Sequence, residues 1–320
     1  MPQDLSDTLV IAISSRALFD LERENEIFEK QGLDAYAKYQ KENEARVLEP
    51  GSGFALIEAF LKLNEKLGEH LVEVVIMSQN NPQTGLRIMN SIDFYNLGIT
   101  RAAFSGGEPL GPYLEAYSVD LYLSKNPEDV QDAVDHGIAA AQIYEPPDFF
   151  NPDTDEIRIA FDGDAVIFSE DSEVIFQQQG LDAFLEHEKV FASIPLPEGP
   201  FGRVLKTLSK IKKLSPEKPL IRIALVTARD RPAHERVILT LRSWGVEVDE
   251  AYFLGGLSKS KVLKAFNAHI FFDDQEKHTD GASEYVPSAR VPHKTGSPLE
   301  KSPDISSENQ DAASDQNQQE

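Results

Sequence analysis

The chain has 320 residues, of which 41% are hydrophobic and 27% charged, with a net charge of −23 and no cysteine. That acidity argues against nucleic acid as a partner, since such binding is driven by Lys and Arg on phosphates, and any site for an anionic substrate must carry its own cation or metal. Disulfides, zinc–thiolate centres and cysteine nucleophiles are excluded. The length suggests about two domains. No apolar run reaches membrane-spanning length, and Leu9–Ile13 is too short and lacks the basic flank of a signal segment. A cytoplasmic protein with no membrane partner is expected.

In chain order, Leu9–Ile13 is a continuous apolar, β-branched run that predicts a buried strand, ending at Ser14-Ser15-Arg16. A charged helical segment spans Glu22 to Glu44, and Pro50-Gly51-Ser52-Gly53 precedes an amphipathic helix from Phe54 to Leu67. A strand follows at Val72–Met77, a helix at Arg87–Tyr95, the loop Phe104-Ser105-Gly106-Gly107, a short helix around Tyr113–Tyr117 and a strand at Asp120–Leu123. The second half opens with the strand Ile157–Phe161, which breaks into Asp162-Gly163-Asp164. Ser169–Pro200 has the charge and helical pattern of a small insertion. Beyond it lie the strand Ile221–Arg229, whose carboxyl end delivers the Thr227 hydroxyl, the loop Gly255-Gly256-Leu257-Ser258-Lys259 and a strand from His269 that ends in Asp273-Asp274. Strands alternating with helices indicate an α/β fold with a mostly parallel sheet. From His293 to Glu320 the chain is rich in Ser, Pro, Gln, Asn and Asp with no aromatic residue, the composition of a disordered acidic tail.

The halves resemble each other in constant register. Ile11-Ala12 faces Ile159-Ala160, and Gln31-Gly32-Leu33-Asp34-Ala35 faces Gln179-Gly180-Leu181-Asp182-Ala183 without a gap. With one residue added, Arg87 faces Arg236, Phe104-Ser105-Gly106-Gly107 faces Phe253-Leu254-Gly255-Gly256, and Leu114-Glu115-Ala116-Tyr117 faces Leu263-Lys264-Ala265-Phe266. Self-similarity of this kind implies an internal duplication: two related α/β domains, residues 1–150 and 151–292, with the tail at 293–320. The differences are chemical. Asp162 faces Ser14, Asp164 faces Arg16, Thr227 faces Ser78, Lys259 faces Leu110, Asp273 faces Ser124 and Asp274 faces Lys125. One copy is equipped with acids and the other is not.

Asp-Gly is also a hairpin-turn dipeptide, but the earlier copy makes the corresponding strand end with Ser14-Ser15-Arg16, so the turn does not require acids. Two carboxylates one residue apart on an extended chain face the same way and suit a hard-oxygen cation. In open α/β sheets ligands collect at the carboxyl ends of strands, which would bring Asp162, Asp164, Thr227, Lys259, Asp273 and Asp274 to one pocket. Duller roles remain for several of these: Thr227 as a helix N-cap, Lys259 as a solvated lysine with Lys261 as its rival, and Asp273-Asp274 as a strand-end turn. Arg229 and Arg231 are candidate phosphate or nucleoside contacts, or ordinary surface arginines. His187, His234, His269, His278 and His293 show no metal-ligand spacing. Trp244 falls on the apolar face of a helix and is expected in the core.

The order Asp-x-Asp, Thr, Lys, paired acids resembles the haloacid dehalogenase superfamily. Phe161-Asp162-Gly163-Asp164-Ala165-Val166, Leu225-Val226-Thr227-Ala228-Arg229, Leu241-Arg242-Ser243-Trp244-Gly245 and Phe271-Phe272-Asp273-Asp274-Gln275 are similar to motifs of the type I cytosolic 5′-nucleotidases. Ser14-Ser15-Arg16-Ala17-Leu18-Phe19-Asp20 and Gly137-Ile138-Ala139-Ala140-Ala141 extend the match over residues 8–292. The resemblance implies Rossmann-like three-layer domains of that superfamily's type, with small helical caps, the catalytic one at about 169–200. It implies Mg²⁺-dependent hydrolysis of nucleoside 5′-monophosphates through an aspartyl-phosphate. Asp162 would be the nucleophile and Asp164 the proton shuttle; Thr227, Ala228, Arg229 and Lys259 would hold the phosphate; Asp162, Asp164, Asp273 and Asp274 would surround the metal. The first half would complete the nucleoside pocket, bind an effector nucleotide near Arg16, Asn80 and Arg87, or be a structural remnant. A phosphatase for another small phosphomonoester and a nucleotide-binding regulator with vestigial catalysis are the alternatives, and self-association into a homo-oligomer is left open.

Overall fold

Alternate side chains of one short strand show how the molecule is layered. Leu9, Ile11 and Ile13 of β1 (Leu9–Ile13) pack on one face of a sheet and Val10 and Ala12 on the other, all buried, as strand geometry requires. The computed structural model describes residues 5, 7–150 and 156–300. In the first half β1 is followed by α1 (Ser15–Leu18), α2 (Glu22–Gln31), α3 (Leu33–Glu42), α4 (Phe54–Leu67), β2 (Val72–Ser78), α5 (Pro82–Phe94), β3 (Arg101–Phe104), α6 (Gly111–Ala116), β4 (Leu121–Ser124), α7 (Pro127–Asp135) and β5 (Ala139–Ile143). The second half carries β6 (Ile157–Phe161), a wide turn at Gly163–Ile167, α8 (Asp171–Gln179), α9 (Leu181–Val190), α10 (Gly202–Lys212), β7 (Ile221–Thr227), α11 (His234–Ser243), β8 (Glu250–Phe253), α12 (Ser260–Phe266), β9 (Ile270–Asp273), α13 (Glu276–Ser283) and β10 (Ser288–Arg290).

The ten strands among the described residues form one sheet in the order β3-β2-β1-β4-β5-β10-β9-β6-β7-β8. Pairing is parallel except at the centre, where Ala289 and Arg290 of β10 run antiparallel to Ile143 and Gln142 of β5. The five strands of each half therefore follow the same order outward from a shared seam. Edge strands left open invite aggregation, and pairing β5 with β10 covers the two inner edges. One apolar cluster runs under both halves, joining Ile57 of α4 and Ile88 of α5 to Leu205 of α10 and Val237 of α11. On the other face each half has its own cluster, around Leu114 and Val130 in the first and Leu263 and Ala282 in the second.

Several boundaries differ from expectation for local reasons. The Glu22–Glu44 segment is two helices, because Gly32 at φ +82° turns the chain between α2 and α3. α5 starts at Pro82 rather than Arg87: Asn81 Oδ1 accepts the Thr84 amide at 2.9 Å, and proline suits the first helical turn. β5 and β10 carry little strand signal, the first for its alanines and the second for its three residues; both form because a partner edge is present. Among the described residues, no helix is long and apolar enough to cross a membrane. Residues 293–300, assigned by composition to the disordered tail, are docked. Thr295 donates its amide to Asp135 Oδ1 at 2.8 Å, Ser297 Oγ donates to Glu170 Oε2 at 2.6 Å, and Leu299 is buried. The rest of that tail, 301–320, lies outside the described residues.

Candidate active site

β6, β7 and β9 are neighbours running in parallel, so their carboxyl ends open on one side. Asp162 follows β6 directly, and its amide donates to Phe272 O at 2.8 Å. No hairpin forms at Asp162-Gly163-Asp164. The chain instead turns sharply, with Ala165 in the left-handed region at φ 58°, a conformation that a non-glycine residue adopts only where its surroundings hold it.

Lys259, just before α12, is buried and donates from Nζ to Asp162 Oδ1 and to Asp273 Oδ2, each at 2.6 Å. Its rival Lys261 is exposed. Burial raises the Asp162 carboxyl to about 6, although Lys259 opposes the shift. Burial also works against ionisation of Asp273, yet Lys259 and a hydrogen bond with His278 outweigh it and hold that carboxyl down at about 2. The two acids share one ammonium but differ in their other donors, because Asp273 also receives the Gln275 amide at 2.9 Å. Asp274 is pushed well above the usual carboxylate range by burial, then by Asp273 and Asp162. Its Oδ1 is buried with no hydrogen-bond partner, and its Oδ2 lies 3.4 Å from His293 Nε2.

One oxygen each from Asp162, Asp273 and Asp274 falls within a 4.8 Å group. Three buried carboxylates against one ammonium leave excess negative charge, and the orphaned Asp274 oxygen could serve as a ligand. A hard divalent ion suits that set. Asp164 stands outside this group, because Arg229 holds it: Nε donates to Oδ2 at 2.8 Å and Nη2 to Oδ1 at 2.6 Å.

Arg229 is itself buried, and its Nη1 donates to Glu188 of α9. Glu188 also accepts from Arg236 Nη1 at 2.8 Å and from Ser172 Oγ at 2.9 Å. Helices α8 and α9 are therefore tied to the site through a buried charge network. Thr227 does not cap α11, which begins seven residues later at His234; its Oγ1 accepts the Arg229 amide at 3.3 Å, beside Gly163. Ala228 and Arg231 are exposed. Trp244 packs against the core, 5.6 Å from the Phe168 ring. Glu188, His278 and His293 lie in no motif of the sequence. Only Arg236, seen as the counterpart of Arg87, carried a signal: Arg87 likewise binds Glu24 at 2.6 Å and Gln40 at 3.1 Å.

Comparison with known proteins agrees with these motifs. A family model described as 5′-nucleotidase matches residues 1–298. The chain is 40% identical to human cytosolic 5′-nucleotidase 1B over 295 residues, which is 88% of this chain and 48% of that protein. It thus spans about half the length of this curated relative. A solved structure described as a Pnkp1/Rnl/Hen1 complex aligns over 90% of this chain and 97% of its own with a TM-score of 0.31 and 10% identity, too distant to bear on the fold. With matched motifs, a family model covering nearly all described residues and a close relative in agreement, the chain belongs to the 5′-nucleotidase family, the type I cytosolic group that its motifs resemble.

Proposed function

We propose that the protein is a Mg²⁺-dependent 5′-nucleotidase that hydrolyses nucleoside 5′-monophosphates in the cytoplasm, using the second half as its catalytic unit. The observation that carries this is the buried carboxylate of Asp162 at the end of β6, fixed by Lys259 beside the orphaned oxygen of Asp274. A nucleophile must be held in line while charge on the equatorial phosphoryl oxygens is offset. Asp162 and Asp274, with Asp273 beside them, would hold the metal, which when bound supplies that charge neutralisation.

Asp162 attacks phosphorus, and the bond to the 5′-oxygen breaks as the aspartyl-phosphate forms. Asp164 gives a proton to the leaving 5′-oxygen, then takes one from the water that attacks phosphorus and frees Asp162. Lys259 offsets phosphoryl charge from its place between the acids. Thr227 Oγ1, beside Gly163, donates to a phosphoryl oxygen while still accepting the Arg229 amide. Arg229 acts on Asp164 rather than on phosphate, since its three donor nitrogens are engaged by carboxylates.

The mirrored strand order and the repeated motifs support descent of both halves from one duplicated unit of the haloacid dehalogenase type, with α8 and α9 as the catalytic cap and α2 and α3 as its counterpart. The decisive test is phosphate release from AMP by Asp162→Asn. Activity reduced to background with an unchanged thermal transition is expected; full activity would remove Asp162 from the mechanism. A panel of monophosphates then separates a nucleotidase from a phosphatase for other small esters.

A further inference from the structure

The first half has a cavity of about 330 Å³ at the carboxyl ends of β1, β2 and β4, within the size range of small-molecule sites. It is the mirror counterpart of the catalytic position. The Ser14 amide donates to Leu123 O at 2.9 Å where the Asp162 amide donates to Phe272 O, and the Ser105 amide donates to Ser78 O where the Leu254 amide donates to Thr227 O, both at 3.0 Å. The backbone frame is the same; the side chains are not.

The floor is made of hydroxyls and amides. Ser15 and Ser78 share a hydrogen bond at 3.1 Å, and Asn80 Nδ2 donates to Ser15 Oγ at 3.3 Å while Tyr36 OH donates to Asn80 Oδ1 at 2.9 Å. The cation is Arg16. Its Nε is buried without a hydrogen-bond partner, and its Nη2 reaches only Glu22, at 3.2 Å in a half-exposed pair. Such a pair contributes little and yields readily to a better-placed anion. The rim is apolar: Phe28 and Leu33 of the α2–α3 hairpin are 48% and 58% exposed although they line the cavity. Of the lining acids, Glu24 is neutralised by Arg87 at 2.6 Å, and Asp129 accepts from Gln79 at 2.9 Å. Arg87, expected to help bind an effector, is spent on that pair.

A cationic, hydroxyl-lined floor beneath an exposed aromatic rim suits a molecule with an anionic head and a flat apolar ring. We propose that this cavity binds a nucleoside monophosphate without metal and without hydrolysing it, its phosphate on Arg16 and the serine hydroxyls and its base against Phe28. Serines stand where Asp162 and Asp273 stand in the other half, and Arg16 stands where Asp164 does, so neither a metal ligand nor a carboxylate nucleophile stands at these positions to turn the ligand over. The inference rests on assigning hydrolysis to the second half.

The test is calorimetric titration of the full chain with AMP in excess EDTA, alongside phosphate release with Mg²⁺. Saturable binding in EDTA is expected, weakened about tenfold by Arg16→Ala, the scale of a lost charge-assisted hydrogen bond, and weakened also by Phe28→Ala. Adenosine and inorganic phosphate should each bind more weakly than AMP. Both replaced side chains are partly exposed, and Mg²⁺-dependent phosphate release by the variants reports that they fold. No binding in EDTA, binding indifferent to Arg16→Ala, or AMP no tighter than phosphate would overturn the proposal. None of these outcomes touches the catalytic assignment, which is read from the Mg²⁺ assay and Asp162→Asn.

Discussion

Arg229 grips Asp164 with a two-pronged hydrogen bond, Nε to Oδ2 at 2.8 Å and Nη2 to Oδ1 at 2.6 Å, and the same guanidinium reaches Glu188 on α9. The carboxylate proposed as proton shuttle is thus oriented by a residue tied to α9. A fork of this kind is specific to arginine, because the lysine ammonium is a point charge. Arg229→Lys should lower kcat for AMP by about ten- to a hundredfold, the scale of misplacing a catalytic group, with a smaller change in KM. Steady-state kinetics across pH decides: equal effects on kcat and KM at all pH values would point to phosphate binding instead.

Asp274 combines an orphaned buried oxygen with a carboxyl raised well above its usual range by burial and two acid neighbours. Removing a buried, uncompensated acid relieves desolvation. In EDTA, Asp274→Asn should therefore be more stable than the parent, by about 1–3 kcal/mol. Mg²⁺ should raise the thermal transition of the parent through linkage and leave that of the variant nearly unmoved. Melting curves with and without the ion check both halves of this prediction.

Asp129 is pushed up to about 6 by burial first, then by Asp132 and Glu128, from its ordinary value of 3.8. Between those values the folded protein keeps a proton that the unfolded chain has released. Stability from this group is therefore lost as pH rises from about 4 to about 6, and is level above. Asp129→Asn removes the term, so its advantage over the parent should grow across that window to at most about 3 kcal/mol. Urea unfolding at pH 4, 5, 6 and 7 measures it; an advantage independent of pH would refute the assignment.

Gly199 closes the segment after α9 against the end of the Gly163–Ile167 turn, its amide donating to Ile167 O at 2.9 Å. A Cβ there would lie 2.2 Å from Phe168 O and 2.7 Å from Val166 O, both backbone atoms that cannot step aside. Gly51 holds the matching place in the first half, 2.7 Å from the Phe19 carbonyl carbon. Gly199→Ala should destabilise the fold by about 2–3 kcal/mol through overpacking and reduce activity by shifting the Asp162 turn. Denaturant midpoints and phosphate release report the two effects separately.

Much of this protein was legible along the chain. β1 and α4 are continuous or periodic apolar runs whose lengths and ends are set by local pattern. The carboxylates stood out because acids end apolar strands and because an otherwise similar half lacks them. What only the tertiary structure decided was pairing. β5 and β10 become strands because each covers the other's edge, which neither segment announces alone. Lys259 rather than Lys261 enters the site because only its side chain reaches between Asp162 and Asp273. Asp164 leaves the cation group because Arg229, 65 residues away along the chain, bonds both its oxygens. Backbone conformation follows from neighbours a few residues apart, whereas the partner of a buried charge is chosen among all groups that folding brings within a few ångströms.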